Sequence, residues 1–231
     1  MGEGSSIVKP SIAIIPSKGR ECLRDAIKSI DPQVDHVVII YNNEIINHLT
    51  VPPHSDKEVN ITYNLDPPNI SKFWNRGIHV SKVIAEKLKW EEWNTVIVND
   101  DVVVPRNFVK TLDHAMRETT AVLAYPDQFG TVQSPCMHQT ANPIDIRHRI
   151  TGYAFMLRGE AGMKFDPSFG WWYGDDDLDW RCREAGGSLL VPGCAVEHEF
   201  PNGYTVSDPR LTAQAGKDRE SFLNKWGRTP H

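Results

Sequence analysis

The apolar residues of this chain alternate between short unbroken runs and stripes at helical spacing. Residues 12–15 form an apolar run that stops at Pro16, and Ser17-Lys18-Gly19-Arg20 follows it. Leu23, Ala26, Ile27 and Ile30 then recur three and four apart, so this segment predicts strand, loop and helix. Residues 37–40 (VVII) are a second unbroken run, of the kind that suits a strand covered on both faces, and Asn42-Asn43 reads as the loop after it. Residues 50–57, with Pro52-Pro53, read as a surface connection, and residues 59–63 as a third strand. After the turn Asp66-Pro67-Pro68-Asn69, Ser71 is predicted to cap a helix with apolar positions Phe73, Trp74, Ile78, Val80, Val83, Ile84 and Leu88. Residues 95–98 predict a fourth strand that delivers Asn99-Asp100-Asp101 at its end, and residues 102–104 continue extended to Pro105. A helix over 107–116 and a strand over 121–125 complete this half. The order predicts an α/β fold: an open, mostly parallel sheet with helices on both faces.

The second half is less regular. Residues 128–142 are rich in polar and turn residues, and residues 150–157 read as a strand interrupted by Gly152. An aromatic, Gly-flanked stretch at 169–174 precedes a helix over 175–185, whose opening acids suit the positive end of its dipole and which Gly186-Gly187 ends. Short strands at 189–191 and 195–196 and a last helix over 217–226 follow, with no internal repeat.

Bulk properties narrow the class. A chain of 231 residues, 40% hydrophobic and 24% charged, fits one ordinary globular domain with one core. Its net charge of −5 gives no general attraction for nucleic acid, although a local basic groove stays open. Cys22, Cys136, Cys182 and Cys194 form no C-x-x-C pair, so they read as buried reduced thiols and not as a zinc site. Residues 1–6 are polar and lack the apolar core of a signal peptide, and no run approaches ~18 apolar residues. The expected location is cytoplasmic.

Four clusters carry candidate chemistry. Asn99-Asp100-Asp101 stands at a strand's carboxyl end, where open α/β sheets bind ligands, and its carboxylates suit a hard divalent ion. The same three residues also make an ordinary polar turn. Trp171-Trp172-Tyr173-Gly174-Asp175-Asp176-Asp177 sets aromatic faces that suit sugar C–H surfaces beside acids that repel one another, so one carboxyl is expected to be raised and to suit a general base. The competing reading is an acid-rich helix start. Glu197-His198-Glu199 offers a metal-binding imidazole, or a structural histidine. Ser17-Lys18-Gly19-Arg20 places two cations and a glycine at a strand end, suited to a nucleotide or simply solvated; it is neither a P-loop nor a dinucleotide fingerprint.

Taken in order, the strand with S-K-G-R, the strand with Y-N-N, N-I-S-K-F-W-N-R-G, V-I-V-N-D-D, W-W-Y-G-D-D-D-L-D-W-R and V-E-H resemble the GT-A glycosyltransferases, especially the inverting enzymes of glycosyltransferase family 2. The likeness spans residues 12–198, and the tail Lys225-Trp226-Gly227 shares it. It implies a GT-A, Rossmann-like mixed sheet in a single domain over 1–231, with a nucleotide-binding half at about 10–126 and an acceptor-binding half at about 127–231. It implies Pro16, Ser17, Arg20 and Asn42 at the base and ribose, with Asn75, Asn99 and Asp100 in the nucleotide-binding set and Lys72 or Arg149 at phosphate. Asp101 and His198 become the metal ligands, for manganese or magnesium, with Asn99 in place of the family's first aspartate. The segment around Gly174 also resembles the W-G-G-E-D-D-D motif of β-1,4-galactosyltransferases, and both registers make Asp175 the acceptor-activating base, with Asp176 as runner-up. Trp171, Trp172, Tyr173 and Gly152 are implied at the sugar or acceptor.

The implied activity is inverting transfer of a sugar from a nucleotide-diphosphate sugar, by family default a UDP-sugar, to a hydroxyl of a protein, a glycan, a small molecule or a modified DNA base. A nucleotidyltransferase and a non-catalytic carbohydrate- or nucleotide-binding module are the competing readings, and the acids at 101 and 175 weigh against the second.

Overall fold

The computed structural model describes residues 8–42, 56–199 and 208–231. The polar amino-terminal stretch 1–6, Asn43 and residues 50–55 of the expected connection lie outside the described residues.

The apolar runs form the centre of an eight-stranded sheet. In chain order its strands are β1 (Ser11–Ser17), β2 (His36–Tyr41), β3 (Glu58–Thr62), β4 (Asn94–Val98), β6 (Leu123–Pro126), β7 (Cys136–His138), β8 (Ala154–Arg158) and β9 (Ser188–Val191). The spatial order is β3-β2-β1-β4-β8-β6-β9-β7. Strands β3, β2, β1 and β4 run parallel, β8 runs against both β4 and β6, and β7 runs against β9. The sheet is therefore mixed and mostly parallel. Its unbroken hydrophobic strands are explained by cover on both faces.

Among the described residues, α1 (Leu23–Ile30), α2 (Ile70–Leu88), α3 (Phe108–Arg117) and α4 (Gly174–Ala185) supply that cover, while α5 (Pro209–Trp226) packs Phe222 with Phe169 and Trp180. One face packs Ala13, Ile15, Val37 and Ile39 with α1 and α3. The other packs Ile12, Ile14, Val38 and Ile40 with Phe73 and Trp74 of α2 and Leu178 and Cys182 of α4. Gly77 lets α2 lie close on β1, because a Cβ there would overlap Ile14.

Several expected boundaries move. Asn69, not Ser71, caps α2 by accepting the Lys72 N–H at 2.9 Å; Ser71 lies buried inside the first turn, with its hydroxyl against Gly174. Helix α5 begins at Pro209, where Asp208 caps it, eight residues before the expected start. The polar stretch 128–142 contains the short edge strand β7. The expected strand at 195–196 lies instead at β10 (Glu197–His198), because it pairs antiparallel with β5 (Val102–Val103).

Candidate active site

The carboxyl ends of β1 and β4 lie side by side, since Ile14 pairs with Ile97. The residues that follow both strands therefore meet. Ser17 donates to Asp100 Oδ2 at 2.7 Å, and Arg20 embraces both oxygens of Asp100 while reaching Asp101 Oδ2 at 3.2 Å. Gly19 makes the turn with φ +78° and donates its N–H to Ser17 Oγ at 2.8 Å. Asp100 is thus held by protein groups on both oxygens, and Asp101 is left with one oxygen less committed.

The β5–β10 pairing brings in the third component. His198 is paired with Val102, and the Glu199 N–H bonds to the Asp101 carbonyl at 2.9 Å. His198 Nε2 consequently stands 3.3 Å from Asp101 Oδ1. Tyr153 lies 4.3 Å from the imidazole, centroid to centroid, and accepts from Gln128, whose carbonyl in turn takes the Val196 N–H at 2.8 Å. Burial raises the Asp101 carboxyl, but His198 and Arg20 outweigh it and hold the group below the usual carboxylate range.

Asp101 is 7% exposed, and its Oδ1 is buried without a hydrogen-bond partner despite the nearby imidazole. A carboxylate oxygen 3.3 Å from an imidazole nitrogen fits a shared divalent ion. Among the described residues no group of three His, Cys, Asp or Glu side chains is placed to hold a metal. Asp101 and His198 would then hold an ion that completes its shell from phosphate and water.

The opposite wall is the start of α4. Its acids are not equivalent. Asp176 is buried and gripped by Arg149. Asp177 takes Arg181, Lys225 and the Trp226 indole, and Asp179 takes Arg183. Among the described residues Asp175 has no ion pair of its own. Burial, and then the negative charge of Asp176, push its carboxyl up to about 7. Gly152, at φ +68°, passes so close that a Cβ there would overlap the Asp175 carboxylate.

A cavity of about 570 Å³ joins these walls. Pro16, Ser17, Arg20, Asn42, Asn99, Asp100, Asp101, Arg149, Gly152, Trp171, Trp172, Asp175 and His198 all line it. The other sequence candidates lie elsewhere. Asp176 faces Arg149 instead of the cavity, because a buried carboxylate needs a cation. Tyr173 takes the left-handed turn before α4 and packs on Phe222 at 5.5 Å. Lys72 is exposed, outside the lining. Asn75 is committed to the backbone of Phe165, donating at 2.9 Å and accepting at 2.8 Å. Asn42 lines the cavity, yet its amide clasps the Leu65 backbone.

Asp218 was invisible in the sequence. It is 0% exposed and accepts the N–H groups of Gly170, Trp171 and Trp172 at 3.0, 2.7 and 2.8 Å. It thereby fixes the aromatic loop against α5. An acid inside a polar helix reads as solvated, and no local pattern marks the three N–H groups that Asp218 accepts.

No protein-family model matches the chain, and no curated protein does. Solved structures do resemble it. GalNAc-T7, solved with UDP, GalNAc and Mn2+, superposes with a TM-score of 0.57 at 13% identity, over 84% of this chain and 44% of that one. Residues 1–349 of S. aureus TarS superpose with a TM-score of 0.57 at 9% identity, over 93% of this chain and 72% of that one. The chain thus spans less than half the length of the GalNAc-T7 chain. Among the described residues no helix is long and apolar enough to cross a membrane. With its sheet order and these neighbours, the chain has the GT-A glycosyltransferase fold.

Proposed function

We propose that this protein is an inverting glycosyltransferase that moves a sugar from a nucleotide-diphosphate sugar, with UDP as the base-bearing leaving group, to an acceptor hydroxyl. The single observation that carries the reading is that Asp101, His198 and an unpaired Asp175 line one cavity although the sequence separates them widely. GalNAc-T7 was solved with a nucleotide, a sugar and manganese, which agrees with a metal-assisted donor site. The reading includes one domain, with nucleotide binding in residues 10–126 and acceptor binding in residues 127–231.

In this reading Pro16, Ser17 and Asn42 border the nucleotide. Asp101 and His198 hold manganese or magnesium, which when bound neutralises the departing diphosphate. Arg20 keeps Asp101 ionised and in place. Asp175 takes the proton of the acceptor hydroxyl. That oxygen bonds to the anomeric carbon as the bond from this carbon to the diphosphate oxygen breaks, and the configuration inverts. Alignment in one cavity supplies much of the gain. Trp171 and Trp172 shape the acceptor side.

The test is a thermal-shift screen of UDP, UDP-sugars and nucleoside triphosphates with manganese. A donor at ~100 times its Kd stabilises by ~2.7 kcal/mol, roughly 5–10 °C here. Slow release of UDP from the sugar nucleotide without acceptor then establishes catalysis. Pyrophosphate release from a triphosphate would make the protein a nucleotidyltransferase instead.

A further inference from the structure

The α2 wall of the cavity carries a polar group that the proposed reaction leaves unused. Trp74 is 5% exposed and lines the cavity, and its indole Nε1 is buried without a hydrogen-bond partner. An indole N–H can only donate. Buried donors are nearly always satisfied, so one without a partner in a residue that lines a cavity points to an acceptor atom that arrives with a ligand. Thr151 Oγ1 is in the same condition: buried, partnerless and on the same cavity.

Both groups belong to the Asp175 end. The Trp74 ring stacks on Phe165 at 4.4 Å between centroids, and Phe165 lies 3.9 Å from where a Cβ of Gly174 would stand. Gly174 is the residue before Asp175. Thr151 precedes Gly152, which abuts the Asp175 carboxylate. In the reading above, the base and ribose are bordered instead by residues after β1 and β2; Phe129 and Ile146, which also line the cavity, are 61% and 59% exposed. Trp74, 5% exposed, therefore belongs to the covered part of the lining.

We propose that Trp74 and Thr151 form the subsite for the transferred sugar, with the Trp74 N–H donating to a hydroxyl or carbonyl oxygen of the sugar ring's substituents and Thr151 engaging a second oxygen. Trp74 is then a specificity-determining residue for the donor. This rests on the nucleotide-sugar reading above.

The test compares calorimetric Kd values for UDP, UDP-glucose, UDP-galactose and their 2-acetamido forms, with manganese, in the wild type, Trp74→Phe and Thr151→Val. Phenylalanine keeps most of the ring packing and removes only the donor. The wild type is expected to bind at least one sugar nucleotide ~10-fold more tightly than UDP, the worth of about one good buried hydrogen bond. Trp74→Phe is expected to lose most of that preference and keep its UDP affinity, which also reports folding. If Trp74→Phe no longer binds UDP, Thr151→Val carries the same comparison. An undiminished preference in the variants, or no preference over UDP in the wild type, overturns the subsite; the unpaired groups then hold water. Failure of the wild type to bind UDP or any sugar nucleotide overturns the nucleotide-sugar reading, and the subsite with it.

Discussion

Replacing Asp175 by asparagine removes a charge that the folded protein accommodates poorly, and the consequence has a definite sign. An aspartate moved from its ordinary value near 4 up to about 7 pays ~4 kcal/mol for its ionised form at 1.36 kcal/mol per decade. Partial exposure at the cavity wall and the charge shared with Asp176 reduce this to a working figure of ~2–3 kcal/mol. Between pH 4 and about 7 the folded chain holds a proton that the unfolded chain has lost, so stability falls as pH rises through that window and levels off above it. Asparagine does not titrate. The variant should therefore gain little over the wild type at pH 4 and the full ~2–3 kcal/mol at pH 8, about 5–10 °C in midpoint for a chain of this size. The same substitution should lower transfer by ~10²–10⁴-fold, because no proton acceptor is left, while UDP affinity is retained. Wild-type kcat/KM should rise with pH to a plateau above about 7. Thermal melts of both proteins at the two pH values suffice. An offset independent of pH would show that the carboxyl is not raised, and equal loss of UDP binding and transfer would make Asp175 structural.

Three further outcomes follow from the geometry. Asp101→Ala should weaken UDP binding by calorimetry when manganese is present and match the wild type when a chelator is added; a loss that ignores the metal would remove Asp101 as a ligand. Arg149→Met should destabilise by ~3–5 kcal/mol in urea melts, since it strands the buried Asp176, and adding Asp176→Asn should recover much of that; no recovery would mean that Arg149 acts otherwise. Gly152→Ala should cut transfer more than UDP binding, because a Cβ at φ +68° displaces the Asp175 carboxylate; unchanged kcat would refute the crowding.

The strands were readable because each central one is an unbroken apolar run, and the run itself reports cover on both faces. The meeting of Asp101 with Asp175 was anticipated through the family resemblance and the rule that ligands gather at strand carboxyl ends. What escaped the reading depends on long-range partners. Strand β7 has three half-buried residues and no periodicity, so only its pairing with β9 defines it. Strand β10 shifts by two residues because β5 selects its register, and that shift is what brings His198 to Asp101. Arg149, 27 residues from Asp176, and Asp218, far along the last helix, have no local pattern that announces their partners.

The acids of α4 explain why one residue in a crowded segment bears the chemistry. Asp176, Asp177 and Asp179 are buried with Arg149, with Arg181 and Lys225, and with Arg183, so each charge is compensated where it lies. A carboxylate committed to an ion pair is a good strut. Those four ion pairs anchor α4 to the loop at 149, to α5 and to its own next turn, and they hold Asp175 at the cavity wall. There it has no ion pair of its own among the described residues, and burial and the charge of Asp176 behind it outweigh the pull of Arg149 and work against ionisation. The segment thus divides its labour by partner and not by residue type: four identical side chains, three neutralised to fix a position and one left uncompensated to accept a proton near neutral pH.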